Sequence, residues 1–220
     1  IGGAVFQGKT NLEKINIPKS VESIGVSAFE GCVYLKEIIF DMSGGNALTI
    51  GDNAFYNCVL LTSEITLPSR TKSVGANAFY GTKITAITLN EGLEEIGDTA
   101  FKNITTLRSV VIPSTVKRIG KEAFYGCKGL TDLTFTPTAK NAQAVSLYVA
   151  DSTFYNCSKL ETVILPERLQ YVSNYMFYGC EKLRSITIPT TVGNDQVERD
   201  FQYGVGVQAF YNCSLLSDIT

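Results

Sequence analysis

The side chains best able to do chemistry here are six cysteines, at positions 32, 58, 127, 157, 180 and 213, in a chain with no histidine. Without histidine there is no Ser-His-Asp triad, no Cys-His pair and no imidazole ligand for zinc or iron. Six cysteines alone suggest a disulfide framework or a metal cluster, and only their spacing separates the two. No C-x-x-C pair occurs. Each cysteine instead stands three residues after a phenylalanine, and the same position elsewhere holds Lys9, Thr82 or Ile104. A position that accepts isoleucine is a packing position, so these thiols are read as small buried apolar groups. Neighbours such as Cys157 and Cys180 approach one another in this reading, but backbone register resists bridging them.

Two further patterns fall on the same phase. Tyrosine follows that phenylalanine directly at Tyr56, Tyr80, Tyr125, Tyr155, Tyr178 and Tyr211. Three N-x-S/T triplets, at Asn103, Asn156 and Asn212, begin two residues after it. No phosphate-binding loop, EF-hand or nucleotide fingerprint is present, and no base stands ready to activate a nucleophile. No catalytic residue, metal site or cofactor is therefore expected, and the chain is read as a non-enzyme.

The element that places all these residues is a repeat. Phe6, Phe29, Phe55, Phe79, Phe101, Phe124, Phe154, Phe177 and Phe210 share one local frame, at spacings of 23, 26, 24, 22, 23, 30, 23 and 33. Ile or Val stands five residues earlier, followed by Gly in seven of nine cases, Ala150 and Ser173 being the exceptions. Leu stands six residues later in most frames, and then two alternating apolar positions such as Ile15 and Ile17. That alternation marks a short half-buried strand, and Pro18, Pro68, Pro113, Pro166 and Pro189 end it, because proline cannot donate to a ladder. The x-x-A-F stretch suits one helical turn. Two residues after the phenylalanine only Gly or Asn occurs, the residue types that best tolerate a left-handed backbone. The asparagines are thus explained by the turn, although in a secreted eukaryotic protein the same triplets are glycosylation acceptors.

A unit of about 23 residues cannot bury its own apolar face. Stacking buries it and sets like residues in columns, with successive strands pairing in parallel. The segment around Val21 to Gly25 is placed to add a second strand column. The motif I-G-x-x-A-F-x-G-C-x-x-L-x-x-I-x-I-P is nearly complete at Ile24–Phe40, Ile119–Phe135 and Val172–Pro189. It resembles the leucine-rich repeats of the BspA-like type along essentially the whole chain. The resemblance implies an α/β leucine-rich-repeat solenoid, a right-handed superhelix of about nine units. Short parallel strands line its concave face, with helical turns and irregular segments elsewhere. It also implies a secreted or cell-surface protein that adheres to host or matrix proteins. A rigid spacer displaying another domain is the competing reading.

Residues 1–220 form one such solenoid, expected to be part of a longer protein because neither end carries a polar cap. A net charge of −2 gives no basic field for nucleic acid, and the longest apolar runs, as at Val110–Ile112, are far too short to enter a membrane. Three insertions, at 41–47, 136–146 and 190–204, lengthen the connection just past the strand and emerge along one rim. The last holds Asp195, Glu198, Arg199, Asp200, Phe201 and Tyr203. Long loops on a rigid scaffold often carry function, so this rim is the first candidate binding surface and the tyrosine column the second. The outward strand residues, from Lys14 and Asn16 to Ser185 and Thr187, form a threonine-rich face of mixed charge, read as ordinary solvated sheet.

Overall fold

The computed structural model describes residues 1–138, 145–193 and 204–220. Fifteen short strands build two columns. The first holds β1 (Lys14–Ile17), β3 (Glu37–Phe40), β5 (Ile65–Thr66), β7 (Ile87–Thr88), β9 (Ser109–Ile112), β11 (Asp132–Phe135), β13 (Thr162–Ile164), β14 (Ser185–Thr187) and β15 (Asp218–Ile219). The second holds β2 (Ser23–Ile24), β4 (Leu48–Ile50), β6 (Thr71–Val74), β8 (Glu95–Ile96), β10 (Arg118–Ile119) and β12 (Tyr148–Val149). All pairing is parallel, and like positions face like: Ile15 pairs with Ile38, Val110 with Leu133, Ile96 with Ile119. The solenoid has about seven turns. The first phenylalanine frame and the last two have no strand in the second column, and Val172 and Val205 meet there only as an isolated bridge.

Between the columns the expected helical turn is absent; no helix occurs among the described residues. The reason lies in the backbone. Ser27 and Gly31 both adopt positive φ, 56° and 67°, which no right-handed helix contains. The segment is a run of overlapping turns in which alternate N–H groups point different ways. Ala28, Glu30 and Cys32 donate within their own turn, to Gly25, Ser27 and Phe29. Ser27, Phe29 and Gly31 donate to the next turn, to Asp52, Ala54 and Tyr56, at 2.8 Å each. The parallel ladder therefore continues around the corner. The left-handed residue two before the phenylalanine was invisible in the sequence, because that site holds Ala4, Ser27, Asn53, Asn77, Thr99, Glu122, Ser152, Tyr175 and Gln208.

So close an approach explains the Ile-Gly dipeptide. A Cβ on Gly97 would lie 2.6 Å from Ala76 N, and one on Gly51 2.9 Å from Gly25 C. Inside the ladder the phenylalanines form one stack from Phe6 to Phe210, with centroids 5.1 to 5.7 Å apart. Phe29 through Phe177 are fully buried.

The same spacing makes the Gly/Asn column alternate. Asn57, Asn103 and Asn156 each lay a side-chain oxygen over the glycine of the next turn. A Cβ on Gly81 or Gly126 would meet that oxygen at 2.5 Å, and one on Gly179 at still shorter range. An asparagine is therefore never followed by another in this column. Gly126→Asn should cost about 1–3 kcal/mol by overpacking. The same change in an Asn103→Gly, Asn156→Gly background should recover most of it. Gly8, with open space around it, should accept asparagine within about 0.5 kcal/mol. Urea unfolding of the four variants measures this.

Candidate protein-binding surfaces

The cysteines lie behind the stacked phenylalanines, all six reduced and buried. Each thiol donates to the phenylalanine carbonyl of the preceding turn: Cys32 to Phe6 at 2.9 Å, Cys127 to Phe101 at 3.1 Å, Cys213 to Phe177 at 3.1 Å. The column is thus a donor column as well as an apolar one, which the spacing alone did not reveal. Among the described residues no group of His, Cys, Asp and Glu is arranged to hold a metal ion. Burial pushes the thiols of Cys58 and Cys127 up to about 12 and that of Cys213 to about 11, from an ordinary value of 9.0. Unfolded thiols ionise first, so the folded state is stabilised fully below about pH 9 and loses that advantage as pH rises toward 12. Alkaline unfolding should therefore set in above about pH 9. A thiol reagent at neutral pH should label Cys213 first and all six only in denaturant, with mass spectrometry reporting the order.

The tyrosine column stands outside the phenylalanines. Tyr56 and Tyr80 stack at 5.0 Å. Tyr125, Tyr155, Tyr178 and Tyr211 form a continuous run at 4.8, 4.4 and 4.9 Å, with rings within 23° of parallel. The rings hide their faces against one another and present their edges; Tyr211 is 55% exposed and the others are half-buried. Lys102 separates the two blocks. Its ammonium pairs with Glu122 and lies 4.5 Å from the Tyr125 ring centre. Tyr175, another exposed residue that the repeat phase did not single out, sits at φ 57° with its ring tilted toward Tyr178 at 6.2 Å.

On the rim, Asp195, Glu198, Arg199, Asp200, Phe201 and Tyr203 lie outside the described residues. Residues 42–47 of the first insertion are exposed, and Asp41 holds the loop by accepting from Ser43 N and Oγ at 2.9 and 2.6 Å. Those bonds lower the Asp41 carboxyl below its usual range. The insertions are not equivalent. In regular turns the second residue after proline donates across one turn: Thr115 Oγ1 to Leu93 O and Thr191 Oγ1 to Leu169 O, both at 2.8 Å. After the first two insertions that residue is a buried arginine reaching across two turns. Arg70 donates to Val21 O at 2.6 Å and Asn46 O at 3.1 Å; Arg168 donates to Val116 O and to Pro113 O at 2.8 Å. The longer side chain spans the place where the inserted loop has displaced a turn. The third insertion leaves its proline turn intact, with Val192 N donating to Pro189 O at 3.0 Å, and departs after it. Arg70→Met strands these carbonyls and should cost about 1–3 kcal/mol. Lysine, lacking the fork, should rescue little of it. Thermal unfolding measures both.

The outward residues of the first column are exposed or half-buried, and Ile164 is the most exposed of its apolar members at 71%. Over the second column runs a shallow groove of about 390 Å³ lined by Asp52, Glu95, Asp98 and Arg118, among others. Its charges are committed to one another or to backbone. Arg118 pairs with Glu95 at 3.1 Å and Asp98 at 3.0 Å, while Asp52 Oδ1 accepts from Ala76 N at 2.7 Å.

The BspA type leucine rich repeat region, in six copies, matches residues 1–131 and 144–220. The chain belongs to this family. Solved structures of similar fold include a leucine-rich repeat protein from Eubacterium ventriosum, 23% identical, covering 96% of this chain and 67% of that one at a TM-score of 0.50. Another is the leucine rich repeat protein of T. pallidum, 23% identical over 99% of this chain and 71% of that one, TM-score 0.46. A leucine rich cell surface protein from Faecalibacterium prausnitzii is 22% identical over 100% of this chain and 82% of that one, TM-score 0.47. No curated protein matches significantly. At such identities the likeness is one of fold. No helix of the described residues is long and apolar enough to cross a membrane.

Proposed function

We propose that this solenoid is a non-enzymatic protein-binding module of a secreted or cell-surface protein, adhering to a host or extracellular-matrix protein. The family membership supports it, because leucine-rich repeat domains are protein-interaction modules and the family is generally non-enzymatic. The observation that carries it in this chain is the tyrosine ladder, a stiff aromatic ridge on the outer surface. Stacked tyrosines have lost their side-chain freedom before any partner arrives, so binding costs little further entropy. The insertions at 41–47, 136–146 and 190–204 would supply the specific contacts along the rim. One observation favours the spacer reading: the rings shield one another and the turn beneath, which is a purely structural use of the same residues.

Binding to immobilised extracellular-matrix and host-surface proteins separates the two. With a partner in hand, Tyr178→Ala should weaken binding by roughly tenfold or more, the loss typical of a buried aromatic anchor. Deletion of 190–204 should abolish selectivity among partners. If both variants bind as the parent does, the ladder and rim are not the contact surface. If the parent binds nothing, the spacer reading holds.

A further inference from the structure

The tyrosine ladder also has the geometry of a covalent cross-linking site. Tyr155 and Tyr178 lie at 4.4 Å between centroids and 4° from parallel, so the two rings face one another closely from successive turns. Tyr125 repeats that arrangement on one side and Tyr211 on the other, while Tyr56 and Tyr80 form a separate pair. Each ring is partly open to solvent, within reach of a small oxidant. The thiols, which would compete for it, are withdrawn. All six thiols are buried and hydrogen-bonded inside the turns.

We propose that the ladder is a site of oxidative dityrosine formation between successive turns, driven by a peroxidase-type one-electron oxidant acting with hydrogen peroxide. Each of two neighbouring tyrosines gives up one electron and its phenolic proton. The two phenoxyl radicals join through their ortho carbons, and each ortho hydrogen then passes through solvent to the oxygen of its own ring. Two tyrosines and one hydrogen peroxide become one dityrosine and two waters. The bond ties adjacent turns together at the outer surface, where stacking and a few weak polar contacts hold the rings. Lys102 limits its extent. With an ammonium between Tyr80 and Tyr125, the ladder cross-links as two blocks, Tyr56–Tyr80 and Tyr125 through Tyr211.

Two exposed tyrosines serve as internal controls. Tyr34 and Tyr148, 50% and 58% exposed, stack on no other ring among the described residues, so links from them report chance encounters rather than the ladder. The test treats the dilute intact chain with a peroxidase and hydrogen peroxide, separates monomer from covalent dimer, and maps linked peptides by mass spectrometry. The expected result is dityrosine fluorescence in the monomer, a loss of two hydrogens per link, and linked peptides joining Tyr155 to Tyr178 or either to its other neighbour. Tyr178→Phe keeps a ring in the stack but cannot form a phenoxyl radical. It should lose both links made by that residue and retain Tyr56–Tyr80. Lys102→Tyr should add a link from Tyr80 into the second block. Dityrosine confined to covalent dimers, links dominated by Tyr34 and Tyr148, or an undiminished Tyr125-to-Tyr211 block in Tyr178→Phe would overturn the assignment. None of these readouts depends on a protein partner, so failure here leaves the binding proposal intact.

Discussion

Successive turns of the chain run at hydrogen-bonding distance around the corners as well as along the strands. In most solenoids described by a strand column alone, the ladder would end where the strand ends. Here Ser27, Phe29 and Gly31 carry it on to the next turn, and the equivalent residues do so turn after turn. A spacing fixed at about 4.8 Å all along that path leaves each position room for only certain side chains. Flat rings fit, so phenylalanine stacks on phenylalanine and tyrosine on tyrosine. A small donor fits behind the phenylalanine, so cysteine reaches back to a carbonyl. At the second-column corners that hold glycine even a methyl group would meet the previous backbone, Ala150 and Ser173 marking the two frames with more room.

Insertions are the places where that constraint is broken, and the chain repairs the break locally. The first two displace a proline turn and leave carbonyls of Val21 and Val116 facing the gap. The arginine of the following turn fills it, at the cost of burying a guanidinium whose Nε finds no partner among the described residues. Such a device keeps the turns on either side aligned, so a loop can vary in length without disturbing the stack. The third insertion leaves its turn whole and uses a threonine as regular turns do.

Much of this was legible from the phase of the phenylalanines. The strand columns, their parallel register, the buried thiols and the inward ring followed from which residue types recur at which offset. The corners did not. The expectation of a helical turn rested on the shortness of x-x-A-F, whereas the decisive left-handed residue before it shows no fixed type. The backbone there is set by bonds to the next turn, and any side chain that points outward is tolerated. Arg70 and Arg168 were equally hidden, since a surface-loop arginine looks like any other charge until the turn it replaces is known. The tyrosine column was visible, but its division by Lys102 emerged only once that ammonium was seen against Tyr125.

The alternation of glycine and asparagine reaches beyond stability. A repeat array lengthens by copying its own units, and a single turn bearing asparagine, copied in tandem, would set one amide onto the backbone of the next. Copied together with a glycine turn, it fits at once. The rhythm from Gly31 to Asn212 thus fits growth by pairs of turns more readily than by single ones.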